Sequence, residues 1–145
     1  MRNLNLTVAI IAALTSLNVI AKSSIDIQTE LEIREECSFS PVGIKKCVQM
    51  RQEKSSELLK KAEVDAENTL SRWDENQKFV RLAKKNLIEA NRVFSHYRDA
   101  QCNFAASLGG GAVGNALETG RLACQAELNE RRAKQLNDFS SALPE

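Results

Sequence analysis

Apolar residues recur at helical intervals over most of the chain and at strand intervals almost nowhere. From Ile44 onward, Cys47, Arg51, Ser55, Leu58, Ala62, Ala66, Leu70 and Trp73 stand three or four residues apart. That spacing puts them on one face of a helix. Ser40-Pro41 reads as its start, because serine can cap free backbone N–H groups and proline is tolerated at the first helical position. Glu57 can pair with Lys60 or Lys61 on the wet face. Asp74-Glu75-Asn76-Gln77 reads as a capping box with Asp74 as cap, so a second helix is predicted to begin there. One unbroken helix is the alternative, since no Gly or Pro intervenes. The second helix has the clearest pattern: Val80, Ala83, Leu87, Ala90, Phe94, Tyr97, Gln101, Phe104 and Leu108 form a stripe interrupted only by Gln101. Such a stripe suits a helix–helix seam.

Gly109-Gly110-Gly111 ends that helix, because glycine adopts the left-handed conformation of a C-terminal cap without penalty. Asn115 to Glu118 reads as another capping box and opens a third helix carrying Leu117, Leu122, Cys124, Leu128 and Leu136. Alternation appears only around Ile25, Ile27, Leu31 and Ile33, and no strand is predicted. The predicted fold is all-α, an antiparallel helical hairpin or three-helix bundle with short turns.

The start of the chain differs from the rest. Met1-Arg2-Asn3 precedes an apolar run from Leu6 to Ala21, broken by Thr7, Thr15, Ser16 and Asn18. A basic start, a short apolar segment and small residues at its end make a signal peptide. Val19 and Ala21 fit the −3 and −1 positions, so residues 1–21 are expected to be cleaved off. An uncleaved anchor is the alternative, but the run falls short of the roughly 20 apolar residues that span a bilayer. Residues 22–36 are polar and read as a loosely attached arm, 37–140 as a single domain, and 141–145, with Pro144, as a frayed tail. The expected location is the periplasm, with secretion as the alternative.

Loss of Arg2 leaves 19 basic residues against 19 acidic ones in the exported chain. That balance argues against nucleic acid as a partner, which calls for a basic face, and against electrostatic attachment to anionic lipid. No membrane span is expected after cleavage.

All four cysteines, Cys37, Cys47, Cys102 and Cys124, follow the leader. An even number in an exported chain implies disulfides. Cys102 and Cys124 lie evenly about residue 113, just past the glycines, and in an antiparallel hairpin such positions face each other. Cys37 and Cys47 flank Pro41 and Gly43 and would pin the arm to the first helix. The predicted pairs are Cys37–Cys47 and Cys102–Cys124. A metal centre finds no close C-x₂-C pair, and the lone His96 is poorly spaced from Cys102. No cofactor is expected. Gly109-Gly110-Gly111-Ala112-Val113-Gly114 formally matches G-x-G-x-x-G, but a helix, not a strand, precedes it. It reads as a turn. No nucleophile-elbow sequence surrounds the serines, and Glu35-Glu36 falls in the arm, so no catalytic residues are assigned and no enzymatic activity is expected.

Phe94-Ser95-His96-Tyr97-Arg98-Asp99-Ala100-Gln101-Cys102, the glycines after it, and Cys124-x₃-Leu128-x₃-Arg132 resemble the LprI-like lysozyme-inhibitor family. Members typically carry an aromatic residue three before an aromatic-Arg-Asp-x-x-Cys run, then a Gly-rich loop, then Cys-x₃-Leu-Thr-x-x-Arg. An earlier cysteine pair about ten apart matches Cys37 and Cys47. The resemblance spans about residues 37–136. Phe94 stands where Trp is usual and Asn129 where Thr is usual. The family's Leu-Asn-x-x-Tyr segment is only loosely echoed by Leu70-Ser71 and Trp73. The resemblance implies an exported helical protein that binds a protein partner, a lysozyme by the family's name.

On the matched positions, Phe94, Tyr97 and Leu128 are expected in the core. Arg98 and Asp99 are neighbours pointing about 100° apart on a helix, so they are not expected to pair side by side. Either could hydrogen-bond across to another helix, or Arg98, Asp99 and Arg132 could form a contact surface. The turn of Gly109, Gly110, Gly111 and Gly114 is a candidate protrusion, with His96, Arg98 and Arg132 as candidate donors. The rival expectation is an envelope assembly protein that pairs through the Val80–Leu108 stripe with another helix or as a homodimer.

Overall fold

The computed structural model describes residues 27–111 and 115–144. The expected leader, residues 1–21, lies outside them. Four helices follow one another: α1 (Glu30–Ser38), α2 (Ile44–Arg72), α3 (Gln77–Ser107) and α4 (Ala116–Ser141). No strand occurs among the described residues.

The helix α1 corrects the expectation of a loose arm, over the part of it that is described. Thr29 and Glu32 make a capping box: Thr29 Oγ1 accepts from the Glu32 N–H at 3.3 Å, and the Glu32 carboxylate accepts from the Thr29 N–H at 2.7 Å. Those bonds hold the Glu32 carboxyl below the usual carboxylate range. One turn apart, Ile33 and Cys37 are fully buried. The first N–H of the helix donates to Glu127 of α4 at 2.7 Å. Two buried side chains, a satisfied cap and a disulfide are enough to fix a nine-residue helix that would not persist alone.

The chain then turns. Ser40 accepts the Gly43 N–H at 3.0 Å, with Pro41 and Val42 between them, an arrangement in which proline's fixed φ suits the second position. Gly43 has φ +81° and caps α2 through its backbone. The first long helix therefore starts at Ile44, not at Ser40-Pro41, because those residues are used by the turn. The break after α2 is present, but the cap of α3 is Asn76, whose side chain accepts from the Lys78 N–H at 2.9 Å, and not Asp74. At the far end of α3, Gly110 has φ +55°. Asn115 precedes α4 without a side-chain cap, and Glu118 bonds Arg121 instead of reaching back.

The described helices α2, α3 and α4 form an up–down–up bundle. Val48 packs with Ala123 and Ala126, and Leu59, Ala62 and Ala66 pack with Ala133 and Leu136. The order of these partners makes α2 and α4 parallel. Alanines at the contact let the two backbones approach closely. The helix α3 runs antiparallel to both, with Leu87 and Phe94 packed on the second cluster. Its stripe is only partly covered: Val80 is buried, whereas Tyr97, Phe104 and Leu108 are 54%, 58% and 72% exposed. Besides Leu87 and Phe94, the side chains Asn91, Arg98 and Cys102 meet α4 from the adjacent face. Contact with α4, not the helix's own hydrophobicity, sets how α3 is rotated.

Both predicted disulfides are present, Cys37–Cys47 and Cys102–Cys124, each with 5.5 Å between Cα atoms. They sit at the same end of the bundle, where the first cluster joins Ile33, Cys37, Val48, Ala123 and Ala126. No described helix is long and apolar enough to cross a membrane.

Candidate functional site

Two features concentrate the residues singled out from the sequence. One is a polar bridge in the middle of the bundle. The other is the disulfide-pinned end.

The bridge is centred on Asn129 of α4, which is fully buried. Its amide nitrogen donates to the hydroxyls of Ser55 and Ser56 on α2, each at 3.1 Å. Its amide oxygen accepts from Arg98 Nη1 on α3 at 3.0 Å. One side chain thus joins all three long helices. Ser55, also fully buried, donates onward to the Gln52 carbonyl at 2.7 Å. Arg98 also grips its neighbour: Nε and Nη2 lie 3.0 and 2.9 Å from Asp99 Oδ1. This corrects the expectation that adjacent residues on a helix would not pair. The backbone directions diverge, but the arginine stem is long enough to fold back. Gln125 Nε2 reaches the same oxygen at 3.2 Å.

Arg132 continues the bridge. Its guanidinium lies 5.8 Å from the Phe94 ring centre, within cation–π range. Nη2 donates to Asn91 at 3.1 Å and Nη1 to Gln135 at 2.6 Å. Its Nε is buried without a partner. Burial lowers the Arg132 pKa, and Glu63 opposes that. Burial pushes the Glu63 carboxyl above the usual carboxylate range, against the pull of Arg132 and Arg98. Arg98 and Arg132 therefore spend most of their hydrogen-bonding capacity inside the molecule, whereas Asp99 is bonded through Oδ1 and is 53% exposed. Phe94 and Leu128 are half-buried, Tyr97 is half-exposed, and His96 is exposed.

At the pinned end, Gly109, Gly110 and Gly111 are exposed, and Gly114 lies outside the described residues. The α1–α2 turn stands at this end too, closed by Cys37–Cys47. It presents Phe39 at 84% exposure and Val42 at 57%. Beside it, a shallow concavity is lined by Val42, Gly43, Ile44, Lys45, Lys46 and Gln49. Sequence reasoning passed over this turn, although an apolar Phe-x-Pro-Val between two cysteines was visible. It also passed over Asn129 as a bridging residue. Among the described residues, no group of three or more His, Cys, Asp or Glu side chains is placed to hold a metal ion.

No curated protein and no solved structure matches the chain. The profile described as lysozyme inhibitor LprI matches residues 36–136. That span takes in both disulfides, the Asn129 bridge and the exposed turns, and the chain belongs to the LprI lysozyme-inhibitor family.

Proposed function

We propose that this protein is exported and inhibits a lysozyme by protein–protein contact, with no catalytic activity of its own. The family match over residues 36–136 carries the reading. The two disulfides support it, since such bonds persist in oxidising compartments outside the cytoplasm.

Lysozymes use two carboxylates flanking the scissile glycosidic bond in a cleft. An inhibitor needs no chemistry there. It must fill the cleft with a rigid body, supply donors or cations to the carboxylates, and keep the sugar chain out. Rigidity matters because ordering a loose segment on binding costs affinity. The disulfide-pinned end meets that requirement best, and its turns, including Gly109–Gly111, are the protruding elements.

The test is titration of the oxidised exported protein into cell-wall lysis by lysozymes of several types. Stoichiometric inhibition of at least one, lost when the disulfides are reduced, is the expected result. A folded, oxidised protein that inhibits none of them refutes the reading.

A further inference from the structure

We infer that the α1–α2 turn, from Phe39 to Lys46, is the element that enters the lysozyme cleft, with Phe39 and Val42 as apolar anchors and Lys45 and Lys46 as cations facing its carboxylates. This deepens the inhibitor reading and rests on it.

The first ground is where the exposed apolar side chains are. Phe39 is 84% exposed, the most exposed of the large apolar side chains in the described residues. Val42 and Ile44 stand beside it at 57% and 39%. Binding energy at interfaces concentrates in a few buried anchors, aromatic ones foremost. The Gly109–Gly111 turn has no side chain to serve as one.

The second ground is preorganisation. The turn is closed covalently by Cys37–Cys47, stiffened by Pro41, and held by the bond from the Gly43 N–H to Ser40. Its conformational freedom is already lost before a partner arrives.

The third ground is charge. Lys45 and Lys46 are exposed and make no ion pair among the described residues. The acid nearby, Glu118, is bonded to Arg121 at 2.6 Å and attracts Lys45 only at longer range, without an ion pair. The first turn of α2 contains no acidic residue and has no side-chain cap. Cations at a helix N-terminus oppose the helix dipole, so this placement works against α2 itself. The attraction of Glu118 for Lys45 offsets this only in part, and residues that break a local rule with little gain to the fold mark sites used for something else. An acidic partner group docked here would reverse the penalty. A cleft with two carboxylates and apolar sugar-binding walls supplies that group and a seat for Phe39.

The experiment measures binding and inhibition of a lysozyme that the wild-type protein inhibits, using Phe39→Ala and the double variant Lys45→Glu with Lys46→Glu. Each is expected to weaken affinity by at least about tenfold. Thermal stability should be unchanged in Phe39→Ala and unchanged or raised in the double glutamate variant, because acids suit a helix N-terminus. Opposite movement of stability and affinity is a signature that a merely structural role would not give. If both variants fold and inhibit within about twofold of wild type, the turn is not the inserted element. Loss of inhibition confined to variants of the glycine turn or of the Tyr97–Leu108 stripe overturns the inference in the same way. If the wild-type protein inhibits no lysozyme, the functional reading itself fails and this inference with it.

Discussion

Replacing Asn129 with Ala should destabilise the protein more than almost any other single change on α4. The side chain is fully buried and makes three hydrogen bonds to two other helices. The bond from Arg98 involves a charged donor, worth about 1.5 kcal/mol at the low end for such bonds, and the two serine bonds are worth about 1 kcal/mol each. The low end applies because the Arg98 side chain keeps 20% exposure and its grip on Asp99. The sum is about 3–4 kcal/mol, before any cost of the cavity. For a domain of this size that lowers Tm by roughly 10–15 °C. Reversible urea or thermal unfolding followed by helical circular dichroism, with both disulfides intact, measures it. Thr, the residue usual here in the family motif, has one hydroxyl in place of an amide and cannot make all three bonds. Asn129→Thr should fall between wild type and Ala. A double-mutant cycle with Ser55→Ala should give a coupling of about 0.5–3 kcal/mol. A loss below about 1 kcal/mol for Asn129→Ala, or no coupling to Ser55, would refute the claim that this residue ties the helices together.

Gly43→Ala should cost about 1–3 kcal/mol, since φ +81° with ψ 150° is a glycine conformation. Nothing lies within 4 Å of the added Cβ, so the cost is backbone strain, and unfolding with unchanged stability would contradict it. Glu63→Gln tests the half-buried carboxyl beside Arg132 and Arg98. Its raised pKa means that the folded state binds the proton more tightly than the unfolded state. Its ionisation therefore withdraws stability as pH rises from the ordinary value of 4.5 through the folded value. The stability difference between Glu63→Gln and wild type should be near zero below 4.5 and favour the variant above the folded pKa; the opposite slope would show that Arg98 and Arg132 outweigh burial. Replacing Cys102 and Cys124 together with Ala removes a cross-link with a sequence separation of 22. The loop-entropy relation gives about 3 kcal/mol. Equal urea midpoints for the oxidised wild type and the double variant would refute that contribution.

What was legible in the sequence was carried by residues whose effect is local. The glycine run after Ser107 ends α3, and the two disulfides follow from spacing about a turn. What was hidden depended on partners far along the chain. Asn129 and Ser55 are 74 residues apart, and an isolated Asn on a helix gives no sign of being a bridge. The buried face of α4 is mostly Thr119, Gly120, Ala123, Ala126, Asn129 and Ala133, so its leucine pattern pointed elsewhere. Leu117, Leu122 and Leu128 are only half-buried. The α1 helix was missed although Thr29-x-x-Glu32 spelled its cap, because its buried face is just Ile33 and Cys37. At the site, the sequence motif directed attention to Arg98, Asp99 and Arg132, which the structure shows bonded largely to one another's neighbourhood.

The same small side chains explain why the staples lie where they do. Alanines at the α2–α4 contact bring the backbones together but bury little apolar area each, and burial stabilises roughly in proportion to area. Leucines and Phe94 strengthen the far end, where Leu59, Leu136 and Leu87 gather. Among the described residues, the near end has Ile33 and Val48 as its only fully buried large apolar side chains, and there both disulfides are found. A cross-link holds a shape without requiring its apolar residues to turn inward. That leaves Phe39 and Val42 free to face outward on a backbone that cannot collapse around them. In a chain without the Cys37–Cys47 bond, the same turn could fold its phenylalanine back onto the bundle. Covalent closure is therefore tied to display, and inhibition should depend on oxidation more steeply than helix content does.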